Sequence, residues 1–129
     1  MSSIFTQIIN GDIPSHKIYE DEKTFAFLDI FPVTEGHVLV VPKTEVDRIE
    51  DLGGEEYQAL WETVRKVAQR LQQQYAHVRA CIKVEGFDVP HAHVHVFPCK
   101  TPKDFYAQAD RSKEPDHKAL AEVAERLAF

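Results

Sequence analysis

Apolar and polar residues repeat along this chain with two periods, and the switches between them mark out its elements. Ile4, Phe5, Ile8 and Ile9 recur at helical spacing and end at Asn10-Gly11, with Pro14 beyond, which predicts a short N-terminal helix. Residues 16–20 and 24–30 read as a hairpin about the Asp21-Glu22-Lys23 turn, its second strand setting Phe25, Phe27 and Asp29 on one face. A third strand runs from His37 to Val41, delivered by the 32–36 turn and stopped by Pro42, which cannot donate to a central ladder. From Glu55 to Tyr75, a three-four spacing of Tyr57, Leu60, Trp61, Val64, Val67, Ala68, Leu71 and Tyr75 predicts one long central helix whose apolar stripe covers a sheet. Val78 to Val84 alternates again, as does His91 to Phe97, and Pro115 with Leu120, Val123, Ala124 and Leu127 predicts a C-terminal helix. The order α-β-β-β-α-β-β-α with short links predicts an α+β fold, an antiparallel sheet with helices to one side or end.

The run His91-Ala92-His93-Val94-His95-Val96-Phe97 carries the chemistry. Residues two apart on a strand share a face, so three imidazoles point one way while Ala92, Val94 and Val96 face the core. Neighbouring histidines then lie about 6.5 to 7 Å apart and the three span roughly 13 Å, a reach that suits a phosphate and its neighbours. A neutral central His93 can attack phosphorus while a flanking ring holds a non-bridging oxygen. His93 needs an acceptor on its other ring nitrogen to fix the tautomer. Three other readings stay open: polar residues on an exposed face, a metal site using two of the histidines and the acids at 85–88, and a module that binds a nucleotide without turning it over.

Composition narrows the partners. The 129 residues, 43% hydrophobic, fit a single domain over 1–129. A formal charge of −6, from 15 basic and 21 acidic residues, argues against nucleic-acid binding but leaves room for a small nucleotide. Two cysteines, Cys81 and Cys99, do not make a disulfide framework. With no apolar run of about 20 residues and no leader pattern, a cytoplasmic protein with no membrane association is expected.

Beyond the triad, Ile-Phe-x-x-Ile-Ile from Ile4, Ile13-Pro14, Tyr19-Glu20-Asp21, Ala26-Phe27-Leu28-Asp29-Ile30 and Gly36-His37-x-Leu39-Val40-x-Pro42-Lys43 occur in order. Together with the triad, over about residues 4–100, the chain resembles the histidine triad superfamily of nucleotide hydrolases and transferases, in its branch of nucleotide-binding proteins. The resemblance implies a five-stranded antiparallel sheet, a homodimer, no cofactor, and hydrolysis of nucleoside 5′-phosphoramidates or related adenylyl compounds through a nucleotidyl-histidine intermediate. A dinucleoside polyphosphate hydrolase is the alternative within the superfamily. It implies His93 as nucleophile, His95 on the phosphate, and His91 and His37 as supporting histidines. Phe5, Ile8, Phe27, Leu28 and Ile30 would line the pocket of a purine nucleotide, and Asp29 would accept from the ribose hydroxyls.

Two departures stand out. Many relatives carry an Asn and then a Gly-Gln-Ser/Thr segment that donates to phosphate, whereas Glu85-Gly86-Phe87-Asp88-Val89-Pro90 is shorter and has no hydroxyl or amide side chain. Asp88, three residues before His91, is the candidate for recognition or protonation of the leaving amine. Some bacterial relatives bind zinc through Cys-x-x-Cys and a histidine at positions that are Ser3, Thr6 and Glu45 here, so no metal is expected. His16, His77 and His117 lie outside the pattern and are expected to be solvated.

Overall fold

The computed structural model describes residues 2–129. Its elements are α1 (Ile4–Ile9), β1 (Lys17–Glu20), β2 (Thr24–Leu28), β3 (Val38–Pro42), α2 (Gly54–Gln74), β4 (Arg79–Val84), β5 (Val94–Cys99), α3 (Pro102–Tyr106) and α4 (His117–Leu127), with a 3-10 turn at Ile49–Asp51. All pairings are antiparallel and the five strands lie in the order β1-β2-β3-β5-β4. The α+β fold and its five strands are those the alternation predicts. The 3-10 turn and α3 are too short to leave a periodic signal.

The two faces of the sheet differ in purpose. Ala26, Leu28, Val38, Val40, Val94 and Val96 point to one side, where Leu60, Val64, Val67 and Leu71 of α2 and Leu120, Ala124 and Leu127 of α4 complete the main core. Each fully buried valine or leucine among them contributes about 1.5–3 kcal/mol relative to exposure. On the other face, Phe25, Phe27, Leu39 and Val41 meet Phe5 of α1 in a smaller cluster. Leu39 pairs with Phe27 on one side and His95 on the other, so this thinner layer leads across the sheet to the histidines.

Several boundaries differ from the sequence reading. β5 starts at Val94, so of the three histidines only His95 lies in the strand. His91 and Ala92 instead donate backbone N–H bonds to Val89 O and Val46 O, which keeps the segment after Pro90 out of the ladder. β2 stops at Leu28 because the Asp29 carboxylate accepts from Phe31 N–H at 2.9 Å, a turn that competes with the strand. His37 lies before β3, its N–H bonded to Thr34 O, and Pro42 closes that strand from within it. His16 and His117 are not simply solvated: they stack, with Nε2 of one 3.0 Å from Nδ1 of the other, and so join the start of β1 to that of α4. His77 is exposed, with φ of 60°.

Candidate functional site

His93 is held by local backbone. Its Nδ1 lies 2.7 Å from the His91 carbonyl oxygen, and since a carbonyl only accepts, Nδ1 carries the proton and Nε2 a lone pair in the neutral ring. The same logic fixes His91, whose Nε2 donates to Pro42 O at 2.8 Å, leaving Nδ1 to accept the Ser3 hydroxyl at 2.7 Å. His91 is completely buried, and burial holds its pKa below the ordinary value.

Ser3 belongs to a cluster that ties α1 to the loop after β3. Its hydroxyl also caps α1 by accepting Thr6 N–H, while its own N–H and the Thr6 hydroxyl donate to Glu45 Oε1 at 2.7 and 2.6 Å. Two hydroxyls thus surround His91 Nδ1, and both belong to a cluster held together by the Glu45 carboxylate. The two neutral hydroxyls are not among the usual zinc ligands, which are thiolate, imidazole and carboxylate.

His95 and His37 form a second chain. Val33 N–H donates to His37 Nδ1 at 3.0 Å, so His37 carries its proton on Nε2 and gives it to His95 Nδ1 at 2.9 Å. His95 must then hold its proton on Nε2, and that atom is buried with no partner. Burial drives both pKa values down to about 4, so both rings are neutral at pH 7. The His37–Asp29 approach of 3.8 Å is accordingly not an ion pair, even though His37 is 3% exposed. Burial also raises the Asp29 pKa. Asp29, His37 and His95 are the described residues whose ligand atoms could converge on one ion, lying within 4.8 Å of one another. In this arrangement His37 Nε2 and His95 Nδ1 are bonded to each other instead.

A cavity of about 290 Å³ opens in front of these rings. Phe5, Ile8, Phe27, Leu28, Asp29, Ile30 and Asp88, each singled out in the sequence, all line it together with His93 and His95. Phe5 packs edge-on to His93 at 5.0 Å and to Phe27 at 5.6 Å, joining the apolar end to the reactive one. His91 and His37 stand behind the cavity wall. The side chain of Leu28 belongs mainly to the core under α2. Sequence reasoning raised Glu85 only as a possible metal ligand and missed Phe31 and Arg111, which also line the cavity; Arg111 has no signal, since it sits in an aperiodic segment beyond the family-like run.

The loop that delivers His37 is braced from behind. Gly36 has φ of +92°, and a Cβ there would lie 2.9 Å from the Tyr75 ring. The Tyr75 hydroxyl donates to Glu35 at 2.9 Å, and Arg126 of α4 joins Glu35 at 2.7 Å and reaches the same hydroxyl. Cys81 of β4 and Cys99 of β5 are near neighbours, and burial followed by the Cys81 thiol pushes Cys99 up to about 12.

Over residues 10–101 the chain matches the family described as HIT domain. It is 33% identical over 136 residues to Protein hit of Bacillus subtilis, covering 97% of this chain and 94% of that one. It is 34% identical over 99 residues to an adenosine 5′-monophosphoramidase of Schizosaccharomyces pombe, covering 76% and 74%. A Hit-like protein from Bartonella henselae has a solved structure that superposes with a TM-score of 0.85 at 25% identity, covering 98% of this chain and 93% of that one.

Proposed function

The chain belongs to the HIT domain family, and from that membership we propose that it is a nucleotidyl hydrolase acting on nucleoside 5′-phosphoramidates or related adenylyl compounds. The observation that carries this reading is the opposed state of two rings on one cavity: His93 with a lone pair on Nε2, and His95 with an unpartnered Nε2–H. A nucleophile beside a donor is what transfer of a phosphorus centre needs.

The base would occupy the apolar end, between Phe5, Ile8, Phe27 and Ile30, and Asp29 would accept from the ribose hydroxyls. His93 Nε2 forms a bond to the α-phosphorus as the bond to the leaving nitrogen breaks, its electron pair departing with the amine, which takes up a proton. The positive charge on the His93 ring is held by the His91 carbonyl. His95 Nε2–H binds a non-bridging oxygen. Water then attacks the adduct, releasing the nucleoside monophosphate and restoring neutral His93. Positioning and fixed donors supply the stabilisation, with no step routed through a metal.

The same site with room for a second nucleoside would be a dinucleoside polyphosphate hydrolase, and selective cleavage of such a substrate would favour that reading. We also infer a homodimer, because β4 is an edge strand with Ile82 and Val84 each 42% exposed; sedimentation as a monomer at micromolar concentration would refute it. The deciding experiment for the activity is a single-turnover reaction of wild type, His95→Ala and His93→Ala with adenosine 5′-phosphoramidate, quenched for intact mass. An adenylyl adduct present in the first two and absent from the third is expected. Nucleotide binding without adduct or turnover would leave a binding module.

A further inference from the structure

The proposed reaction brings a phosphate anion to a cavity with few positively charged side chains. His37 and His95 carry no charge at pH 7, and the ionisable side chains facing the opening include the carboxylates of Asp29, Glu85 and Asp88. Among the residues lining the cavity, one alone is a lysine or arginine: Arg111. It comes from the segment between α3 and α4, outside the 10–101 span that matches the family. Lys83, which pairs with His95 across the sheet, does not line the cavity: its charge adds to burial in lowering the His37 and His95 pKa values, but its ammonium donates to Phe105 O at 3.2 Å and lies over the Phe105 ring at 4.8 Å.

Arg111 is positioned but not saturated. Its guanidinium lies 5.5 Å from the centre of the Phe31 ring, a cation–π contact that holds the plane at the cavity mouth. Its approach to Asp88 is 3.7 Å, longer than a hydrogen bond, so its donors remain free for a better acceptor. The 85–90 loop below it offers no hydroxyl or amide side chain to a phosphate. A guanidinium presents a planar fork of donors that matches two phosphate oxygens.

Resting on the nucleotidyl-hydrolase reading above, we propose that Arg111 is the charge partner of the substrate's phosphate, supplied to the site by a segment beyond the family-matched region. It leaves Asp88 for the non-bridging oxygens when a nucleotide enters, and so couples the post-α3 segment to binding.

The test compares AMP with adenosine, which shares base and ribose but has no phosphate. Dissociation constants are measured by calorimetry for wild type, Arg111→Ala and Arg111→Lys, with thermal melts to establish that each variant is folded. Arg111→Ala is expected to weaken AMP about ten-fold more than adenosine, the scale of one charge-assisted hydrogen bond, and Arg111→Lys to recover part of that loss. Equal weakening of both ligands, or of neither, would overturn the proposal while leaving the nucleotide reading intact. A wild-type protein that binds neither AMP nor adenosine would overturn both.

Discussion

Nδ1 of His93 sits 2.7 Å from the carbonyl oxygen of His91, so the ring proposed as nucleophile is oriented by the backbone of another histidine in the same run. That carbonyl is in turn held by everything that holds His91, including a hydroxyl 88 residues away at the start of the first helix.

Replacing Ser3 therefore acts at a distance. Ser3→Ala removes the cap of α1 and leaves buried His91 Nδ1 without its donor, an expected loss of about 2–3 kcal/mol in urea denaturation. Turnover should fall as well, because His91 positions His93. Ser3→Thr, which keeps the hydroxyl, should recover most of both; a turnover equal to wild type in Ser3→Ala would show that the cluster is structural only.

The depressed histidines fix how stability varies with pH. His37 and His95 fall from an ordinary 6.5 to about 4 on folding, so the unfolded chain takes up protons first as pH drops. Their contribution is complete above pH 6.5 and is lost as pH falls towards 4. Asp29, whose pKa burial raises, opposes part of this loss. Denaturation midpoints should decline steadily across that window, and His37→Asn should make the decline shallower; an unchanged slope in the variant would count against buried neutral rings.

Gly36 is required twice over, by its positive φ and by the Tyr75 ring where a Cβ would stand. Gly36→Ala should cost about 1–3 kcal/mol from backbone strain alone. Since His37 follows directly, kcat should drop with it, and assays on folded Gly36→Ala protein would show whether the loop position reaches the chemistry.

Asp88 lines the cavity together with His93 and His95. Asp88→Asn should slow substrates with basic amine leaving groups more than those with good leaving groups, by about ten-fold for a group that assists proton transfer. Identical losses across the panel would remove Asp88 from the reaction.

Where the sequence was informative, the physics was local. The long helix and the alternating Val94 and Val96 were legible because burial on one side imposes a period that sequence displays directly. The ends were not, because they are set by single hydrogen bonds without a period: the Asp29 carboxylate takes the Phe31 amide, and the His91 and Ala92 amides go to Val89 O and to Val46 O on a distant loop. Ser3, Thr6 and Glu45 were noticeable only as residues standing where others have metal ligands; that they bond to one another depends on how α1 meets the loop after β3. Arg111 left no trace at all, since a single exposed arginine in an irregular segment has no pattern to break.

The chain of rings that ends on His95 begins at the Val33 amide, and an amide proton is not given up at any pH the fold survives. If His95 surrendered its Nε2 proton it would have to be recharged from His37, which has no source behind it. This line is a wire with a sealed end: it can stiffen and polarise a donor but cannot conduct. In the proposed reaction, the hydrogen taken up by a departing amine would then enter from the mouth of the cavity, from solvent or from the acids that line it. Leaving groups would then be sorted by what awaits them at that mouth rather than by the histidines that hold the phosphate.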